Sequence, residues 1–270
     1  MQKFDTYPFL NTDWNSIHLE ILENALFTGD SSWYYPQIIS PYNRLYFIMD
    51  GEIYLENERG RQILRSGHIY LVPAFSCYTY GCPSTVRKFY IHFNMELLPG
   101  VDLFSRLETI RQLPCEASLL ENIFAELKKE SLSGLLHLKA IFWQILYEFF
   151  INAASSADYL DRFKGFYRQK QILEYLSANL HAGLRIQDIA EDLHTPSHIL
   201  SRSFRQDTGQ GLKEYMELLL LQKARNLLLH TNMPITEIAE TLGFSDPFYF
   251  SRFFKKAEHI SPREYRKVRF

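Results

Sequence analysis

Hydrophobic and polar residues alternate over short stretches in the first third of the chain, and this period of two predicts β-strands. A tight hairpin is predicted across Arg44–Glu56, because Asp50-Gly51 supplies positive φ angles between two alternating segments. Three more strands, separated by turn residues, are predicted at His68–Val72, Phe75–Tyr80 and Val86–Phe93. Residues 18–95 are therefore expected to form a small barrel or jelly roll.

After Pro99 the hydrophobic spacing changes to that of α-helices. Helical spacing is found among Leu119, Leu120, Ile123, Phe124 and Leu127, and again among Leu135, Leu138, Ile141, Phe142, Ile145, Leu146 and Phe149. These helices are expected either to cover the barrel or to pair with a second subunit. The most apolar run, residues 141–154, contains Glu148 and is too short to span a bilayer, so we interpret it as a buried helix.

A small polar stretch, Asn152–Ser156, predicts a linker between two domains, 1–160 and 161–270. Two domains also suit a chain of 270 residues. The second domain is predicted to contain seven helices, at about 166–180, 186–193, 197–208, 211–229, 235–242, 246–257 and 261–268.

The second domain contains an internal sequence repeat of two units. Ile186–Leu193 recurs as Ile235–Leu242 at an offset of 49 residues, and Ser201–Phe204 recurs as Ser251–Phe254 at an offset of 50. Each unit is predicted to be a helix, a turn and a second helix, with one residue inserted in the second turn. Two such units on one chain indicate a protein that contacts two successive major grooves of DNA.

The charge is distributed in a way that agrees with this interpretation. The net charge is −2, but residues 162–270 hold 17 Lys and Arg against 12 Asp and Glu, a net +5, and the preceding residues hold a net −7. The three cysteines have no zinc-site spacing, which favours a reduced, cytoplasmic compartment. The first residues lack the apolar core of a signal peptide.

The second unit resembles the AraC/XylS family of bacterial transcription regulators, through Ile238-Ala239, Gly243–Lys256 and Ser261–Arg266. The resemblance implies a DNA-binding domain of seven helices, with two helix-turn-helix units joined by a long central helix. It implies an α+β chain of two domains, in which a cupin-like β-barrel with covering helices precedes the all-α domain.

The resemblance also implies which residues meet DNA. The base-reading positions are His198, Ser201 and Arg202 in the first unit, and Phe248, Tyr249, Ser251 and Arg252 in the second. Arg205, Lys255 and Lys256 are better suited to phosphate than to bases. For Arg202 and Arg252 two contacts remain possible, one with a guanine edge and one with a phosphate.

The first domain resembles the cupin-like sensor domain of sugar-responsive members of this family. It has no His-x-His pair, and Tyr78 stands near the place of a later metal-binding His, so no metal, no other cofactor and no cupin enzyme chemistry are expected. Ligand contacts are predicted on alternating strand positions, at Arg44, Tyr46, Tyr78, Tyr80, Tyr90 and His92. The alternative is that these side chains only fill the barrel.

The sequence therefore predicts a non-enzymatic, cytoplasmic transcription regulator, an activator that responds to a small molecule such as a carbohydrate. Its expected partners are promoter DNA, RNA polymerase, the effector and a second copy of the chain, and no membrane. Two alternatives remain: a cupin-type metalloenzyme with an accessory helical domain, and a DNA binder whose barrel only dimerises.

Overall fold

The computed structural model describes residues 17–98, 100–104, 107–153, 164–258 and 260–267. The chain divides into two compact units. The first comprises Met1–Leu97 and Asp102–Leu160, and the second comprises Leu98–Val101 and Asp161–Phe270. Of the predicted linker, Asn152 and Ala153 are helical, and the rest lies outside the described residues, as does the predicted boundary at 160.

The first unit contains antiparallel strands that follow one another closely along the chain. Their bounds are β1 His18–Asp30, β2 Tyr34–Ile39, β3 Asn43–Asn57, β4 Gly60–Arg65, β5 His68–Val72, β6 Cys77–Gly81, β7 Thr85–Leu98, β8 Val101–Asp102 and β9 Arg111–Pro114. The predicted strand at His68–Val72 has the observed bounds, whereas Arg111–Pro114 is a strand in a region that was expected to be helical.

The strands pair in an open arrangement rather than in the closed cupin-like barrel that was expected. The main path runs β1-β7-β3-β5-β9, and β4, β6 and β2 continue from the second half of β3. Both layers therefore share β3 and diverge from it. Within the described residues, β1 pairs only with β7 and β9 only with β5, so each leaves a sheet edge unpaired.

The predicted hairpin at Asp50-Gly51 is wrong. Residues 43–57 form one continuous strand, and the register with β7 shifts between Ile48 and Asp50. Gly51 has a φ of 72°, and a Cβ there would lie 2.0 Å from the Thr85 carbonyl oxygen. Gly51 therefore lies at a β-bulge, where β3 passes from one layer to the other and needs a positive φ. The β7 backbone also comes too close at this point for a side chain. The actual hairpin joins β3 to β4, where Asn57 pairs with Gly60.

Two helices, α1 (Ala117–Lys128) and α2 (Leu132–Ala153), pack on one face of the main sheet. Phe124 meets Phe89 at 5.4 Å between ring centroids, and Phe142 meets Phe93 at 5.3 Å. The helices therefore cover the sheet, which was the first of the two arrangements expected from the sequence.

Helix α2 is longer than the apolar run that predicted it. Leu132–Asn152 is the one segment in the described part of the chain that could cross a membrane by length and composition. The prediction that this segment is too short to span a bilayer is therefore wrong. However, Leu146 and Phe149 are buried in the first unit, as in a helix that packs on a protein core.

The second unit is helical. Its helices are α3 Lys170–Asn179, α4 Ile186–Asp192, α5 Ser197–Thr208, α6 Leu212–His230, α7 Ile235–Thr241, α8 Pro247–Glu258 and α9 Pro262–Lys267. Residues 164–168 are also helical and are separated from α3 by a turn at Gln169, so the first predicted helix is interrupted and the expected count of seven is not confirmed. The long helix α6 contributes Leu221, Ala224 and Leu228 to the core around α7 and α8.

Candidate functional sites

The two repeated units fold in the same way. In the first, Ile189 and Ala190 of α4 are buried against α5, which contributes Leu200 and Phe204. In the second, the residues 49 or 50 positions later take the same places, namely Ile238, Ala239, Phe250 and Phe254. Alanine where two helices cross lets their backbones approach closely, and the large side chains fill the remaining space.

The turns inside the two units differ in length and composition. Residues 193–196 join α4 to α5, whereas residues 242–246 join α7 to α8. The inserted residue therefore lies in the second turn, as predicted. The second residue of each turn is left-handed, His194 with φ 49° in the first and Gly243 with φ 76° in the second. Corresponding backbone bonds follow, from Thr195 N to Ala190 O and from Phe244 N to Ala239 O, both 2.9 Å long.

Helices α5 and α8 present most of the predicted DNA-contacting residues to solvent. The side chains of His198, Arg202, Arg205, Phe248, Tyr249, Arg252, Lys255 and Lys256 are exposed. Phe248 is 80% exposed, so it is not the core residue that such an aromatic usually is. Ser201 and Ser251 are half-buried, and the Ser251 hydroxyl donates to the Pro247 carbonyl over 2.8 Å.

The start of α8 is fixed by Asp246. Its Oδ1 accepts hydrogen bonds from the backbone N–H groups of Phe248 and Tyr249, each 2.8 Å long. Such a cap satisfies N–H groups that have no partner within the helix. It therefore holds the first turn of α8, where the two exposed aromatic rings lie, in a defined position.

A second candidate site, which we call the inner cluster, consists of the side chains between the two layers of the first unit. On the inner face of the main sheet, strand register places Phe27 beside Lys88, Ala25 and Tyr46 beside Tyr90, and Glu23 and Arg44 beside His92. The predicted ligand residues Arg44, Tyr46, Tyr78, Tyr80 and His92 are almost fully buried, and Tyr90 is half-buried.

Hydrogen bonds connect these side chains, one of them across the layers and two within the main sheet. Arg44 Nη1 donates to the Tyr80 hydroxyl, which comes from the other layer. Tyr90 donates its hydroxyl to Glu23 over 2.9 Å, and His92 Nδ1 lies 3.1 Å from the same carboxylate. The structure thus brings five of the six predicted residues together, and Tyr78 meets the group through the Tyr80 ring, 6.5 Å away between centroids.

Burial controls the charge of this cluster. It lowers the pKa of His92 to about 4, so the contact with Glu23 is a hydrogen bond from a neutral ring at pH 7 rather than an ion pair. Burial, together with the smaller effect of the neighbouring Arg44 charge, lowers the pKa of Lys88 to about 7. It also raises the pKa of Tyr80 to about 12, so that hydroxyl stays protonated.

The second unit is similar to a known family of domains. Residues 189–268 match a family model described as a helix-turn-helix domain. The chain carries an AraC-type helix-turn-helix domain. The match covers both repeated units apart from the first residues of α4.

Curated relatives of this AraC-type domain are named as regulators. The lactose operon transcription activator of Staphylococcus xylosus is 30% identical over 94 residues, 35% of this chain and 34% of that protein. The activator RhaS of Yersinia pseudotuberculosis is 28% identical over 159 residues, 59% of this chain and 56% of that protein. The chain spans only about a third of the length of the first curated relatives it matches.

A solved structure shares the two-unit fold. ToxT from Vibrio cholerae superposes with a TM-score of 0.56 over 92% of this chain and 98% of that chain, at 16% identity. At this identity the likeness shows the fold alone, a sheet-rich unit followed by a helical one.

Several residues of the AraC-type domain and of the inner cluster were missed from the sequence. Ile199 is 45% exposed at the position equivalent to Tyr249, and the 50-residue offset already pointed to it. Lys88 precedes Tyr90 by two positions on β7 and therefore shares its face. No sequence signal placed Trp33 or Tyr42 in the cluster, because each arrives from outside the predicted strands.

The first unit also has two cavities of about 530 Å³, beside α1 and α2. Neither is lined by the six predicted ligand residues. In the described part of the chain, no group of three or more His, Cys, Asp or Glu residues is arranged to hold a metal ion.

Proposed function

We propose that this chain is a DNA-binding transcription regulator in which residues 161–270 bind promoter DNA. The observation that carries the proposal is the pair of AraC-type units, each with a helix that exposes cationic and aromatic side chains. Helices α5 and α8 would enter adjacent major grooves about 34 Å apart. Arg205, Lys255 and Lys256 would hold phosphates there.

Base reading would fall to the exposed first halves of these two helices. Arg202 and Arg252 can each donate two hydrogen bonds to a guanine edge, and the rings of Phe248 and Tyr249 can meet thymine methyl groups. His198, Ser201 and Ser251 would add adaptable hydrogen bonds. The two serines are half-buried, so their reach is shorter than that of the two arginines.

Substitution of Arg252 tests this assignment. Arg252→Ala should weaken binding to a selected DNA site by about 1–3 kcal/mol, measured by fluorescence anisotropy at fixed salt. Arg87→Ala removes the same charge from an exposed position of the first unit and should leave the affinity unchanged. Equal affinity of Arg252→Ala and the wild-type protein would remove Arg252 from the interface.

The inner cluster of the first unit supports an effector-binding role for residues 1–160. Buried aromatic faces can stack on sugar rings, and Arg44 and His92 can hydrogen-bond hydroxyl groups. A carbohydrate is the effector we propose, and the relative named as a lactose operon activator supports it. Effector binding would shift the population of the chain that engages DNA and RNA polymerase. We propose that this shift activates transcription, and the two relatives named as activators support that sign.

We further propose a homodimer formed through α2. Large apolar side chains that are substantially exposed recur along one stripe of this helix, at Leu132, Leu136, Trp143, Tyr147 and Ile151. An apolar stripe of this length is typical of a helix that packs against a partner. A dimerised regulator of this class is expected in the cytoplasm, with no membrane partner.

Two alternatives are less well supported. The cupin-type metalloenzyme lacks a metal-holding group within the described residues, and the named relatives are regulators rather than enzymes. A DNA binder whose first unit only dimerises remains testable, since a thermal-shift screen against sugars should then give no increase in melting temperature.

A further inference from the structure

Lys88 is an unusual residue of the inner cluster because its amino group lies among aromatic rings in an almost fully buried side chain. The residue is 4% exposed, and it forms no hydrogen bond or ion pair with any described residue. Its Nζ instead faces aromatic rings. It lies 4.1 Å from the ring centroid of Tyr46, 4.2 Å from Trp33, 5.2 Å from Phe27 and 5.7 Å from Tyr90.

The aromatic rings satisfy this ammonium only in part. Their faces attract a positive charge, but they do not replace oxygen acceptors for its three N–H donors. A buried ammonium with unused donors is costly unless an anion or an acceptor joins it.

Neighbouring charges increase the preference for an anion. Arg44 lies on the same face of the sheet, and its charge acts on Lys88 unfavourably. Glu23 is the acid described in this cluster, and it is engaged by Tyr90 and His92. A ligand of neutral hydroxyl groups alone would offer Lys88 hydrogen-bond acceptors but no opposite charge.

We propose that Lys88 is the anion-binding residue of the effector site and that the effector is a small carboxylate. The carboxylate would accept hydrogen bonds from Nζ, while the body of the ligand stacks on Trp33 and Tyr46. This inference rests on the proposed role of the first unit as an effector-binding domain. If the effector is a carbohydrate, the proposal requires that it be a sugar acid. An aliphatic acid is the other compound that could supply the carboxylate.

Matched acid and neutral pairs test the proposal on the full-length protein. The pairs are galacturonate with galactose, glucuronate with glucose, and octanoate with octanol, each followed by thermal shift and then by calorimetry. An acid should raise the melting temperature while its neutral counterpart does not. Lys88→Met should weaken binding of that acid at least tenfold, whereas Lys88→Arg should retain most of it. The sugar and aliphatic arms identify the source of the carboxylate.

Lys128→Met is the matched control, because it removes an exposed lysine of α1. It should leave binding of the acid unchanged, and far-UV circular dichroism should show all variants to be folded. The proposal is overturned if Lys88→Met binds the acid as tightly as the wild-type protein, or if no carboxylate in the panel binds. A neutral compound that binds independently of Lys88 would also overturn it, but would leave the effector-binding role standing.

Discussion

His194 and Gly243 show how one backbone conformation is met by two different residues. Both are the second residue of the turn in a helix-turn-helix unit, and both have a positive φ, at 49° and 76°. Glycine takes this conformation without a steric penalty, so the sequence predicts the second turn well. Histidine carries no such signal, and the left-handed residue of the first turn could be located only through the repeat.

Replacing His194 with glycine should therefore stabilise the protein. His194→Gly removes the steric cost of the left-handed conformation, which stabilises the folded state. It also increases the entropy of the unfolded chain, which offsets part of that gain, so we expect a net increase of about 0.5 kcal/mol in the free energy of unfolding. Urea unfolding followed by circular dichroism at 222 nm measures it. In contrast, Gly243→Ala should destabilise, since the new Cβ would lie 2.8 Å from the His181 Cβ. A lower stability of His194→Gly would contradict the argument.

His92 makes the stability of the first unit depend on pH. Burial holds its pKa near 4, below the unfolded value of 6.5, so between these values the unfolded chain binds a proton that the folded chain excludes. Stability from this residue is present above about pH 6.5 and is lost as the pH falls towards 4. The loss should reach about 3 kcal/mol relative to His92→Gln.

Urea unfolding of both proteins at pH 7, 5.5 and 4 measures this difference. Asp102, whose pKa burial raises to about 6, titrates in the same interval with the opposite sign. It is present in both proteins, so its effect cancels in the comparison. A difference between wild type and His92→Gln that stays constant over this range would show that His92 does not titrate as described.

At the scale of elements, helix α8 is tied to α6 by a buried ion pair. The side chains of Arg225 and Glu258 are only 8% and 3% exposed, and Arg225 Nε donates to Glu258 Oε1 over 3.0 Å. Glu258 is the last residue of α8, so the pair fixes the end of that helix opposite to its exposed aromatic rings. The long helix thus sets the direction in which α8 points.

Breaking this pair should be far more costly than replacing it. Arg225→Met alone leaves a buried carboxylate without its partner and should lower the free energy of unfolding by about 3–5 kcal/mol. The double variant Arg225→Met with Glu258→Leu should recover most of that loss. A double-mutant cycle by urea unfolding checks this, and strictly additive effects would show that the two residues act independently.

The elements differ in how far the sequence determined them. Helices α4–α9 follow from local hydrophobic spacing and the internal repeat, so their predicted bounds lie close to the observed ones. Strand β3 was misjudged because Asp50-Gly51 has the same local signal in a hairpin and in a bulge. Only the partner strand β7, more than thirty positions away, distinguishes the two.

At the scale of the whole molecule, one candidate site is determined by local sequence and the other by the pairing of distant strands. The exposed residues of α5 and α8 follow from helical periodicity, which is local. The inner cluster combines residues from β1, β3, β6 and β7. Alternation within each strand identified five of its members but not Lys88 or Trp33. Which faces meet depends on the pairing of distant strands, and the sequence pattern does not contain that pairing.

The exposed stripe of α2 carries a prediction about assembly. Leu136 is 60% exposed and Tyr147 is 55% exposed. A dimer that buries them should dissociate when Leu136→Glu and Tyr147→Glu are combined, because an unpaired buried charge is strongly unfavourable. Analytical ultracentrifugation should show a monomer for this variant. Asn122→Glu on α1 should keep the wild-type mass, and an unchanged dimer in the double variant would exclude this face as the interface.

The extra residue between α7 and α8 makes the two helix-turn-helix units non-equivalent, so the DNA-binding surface has a direction. The two helix-turn-helix units share one packing scheme, yet their turns differ by a residue and their exposed tips differ in chemistry, with His198 in one and Phe248 in the other. A single chain would therefore read a non-repeating stretch of sequence in one direction only. On a promoter, reversing that stretch would turn the protein to face away from the gene, so the orientation of the site would be as informative as its sequence.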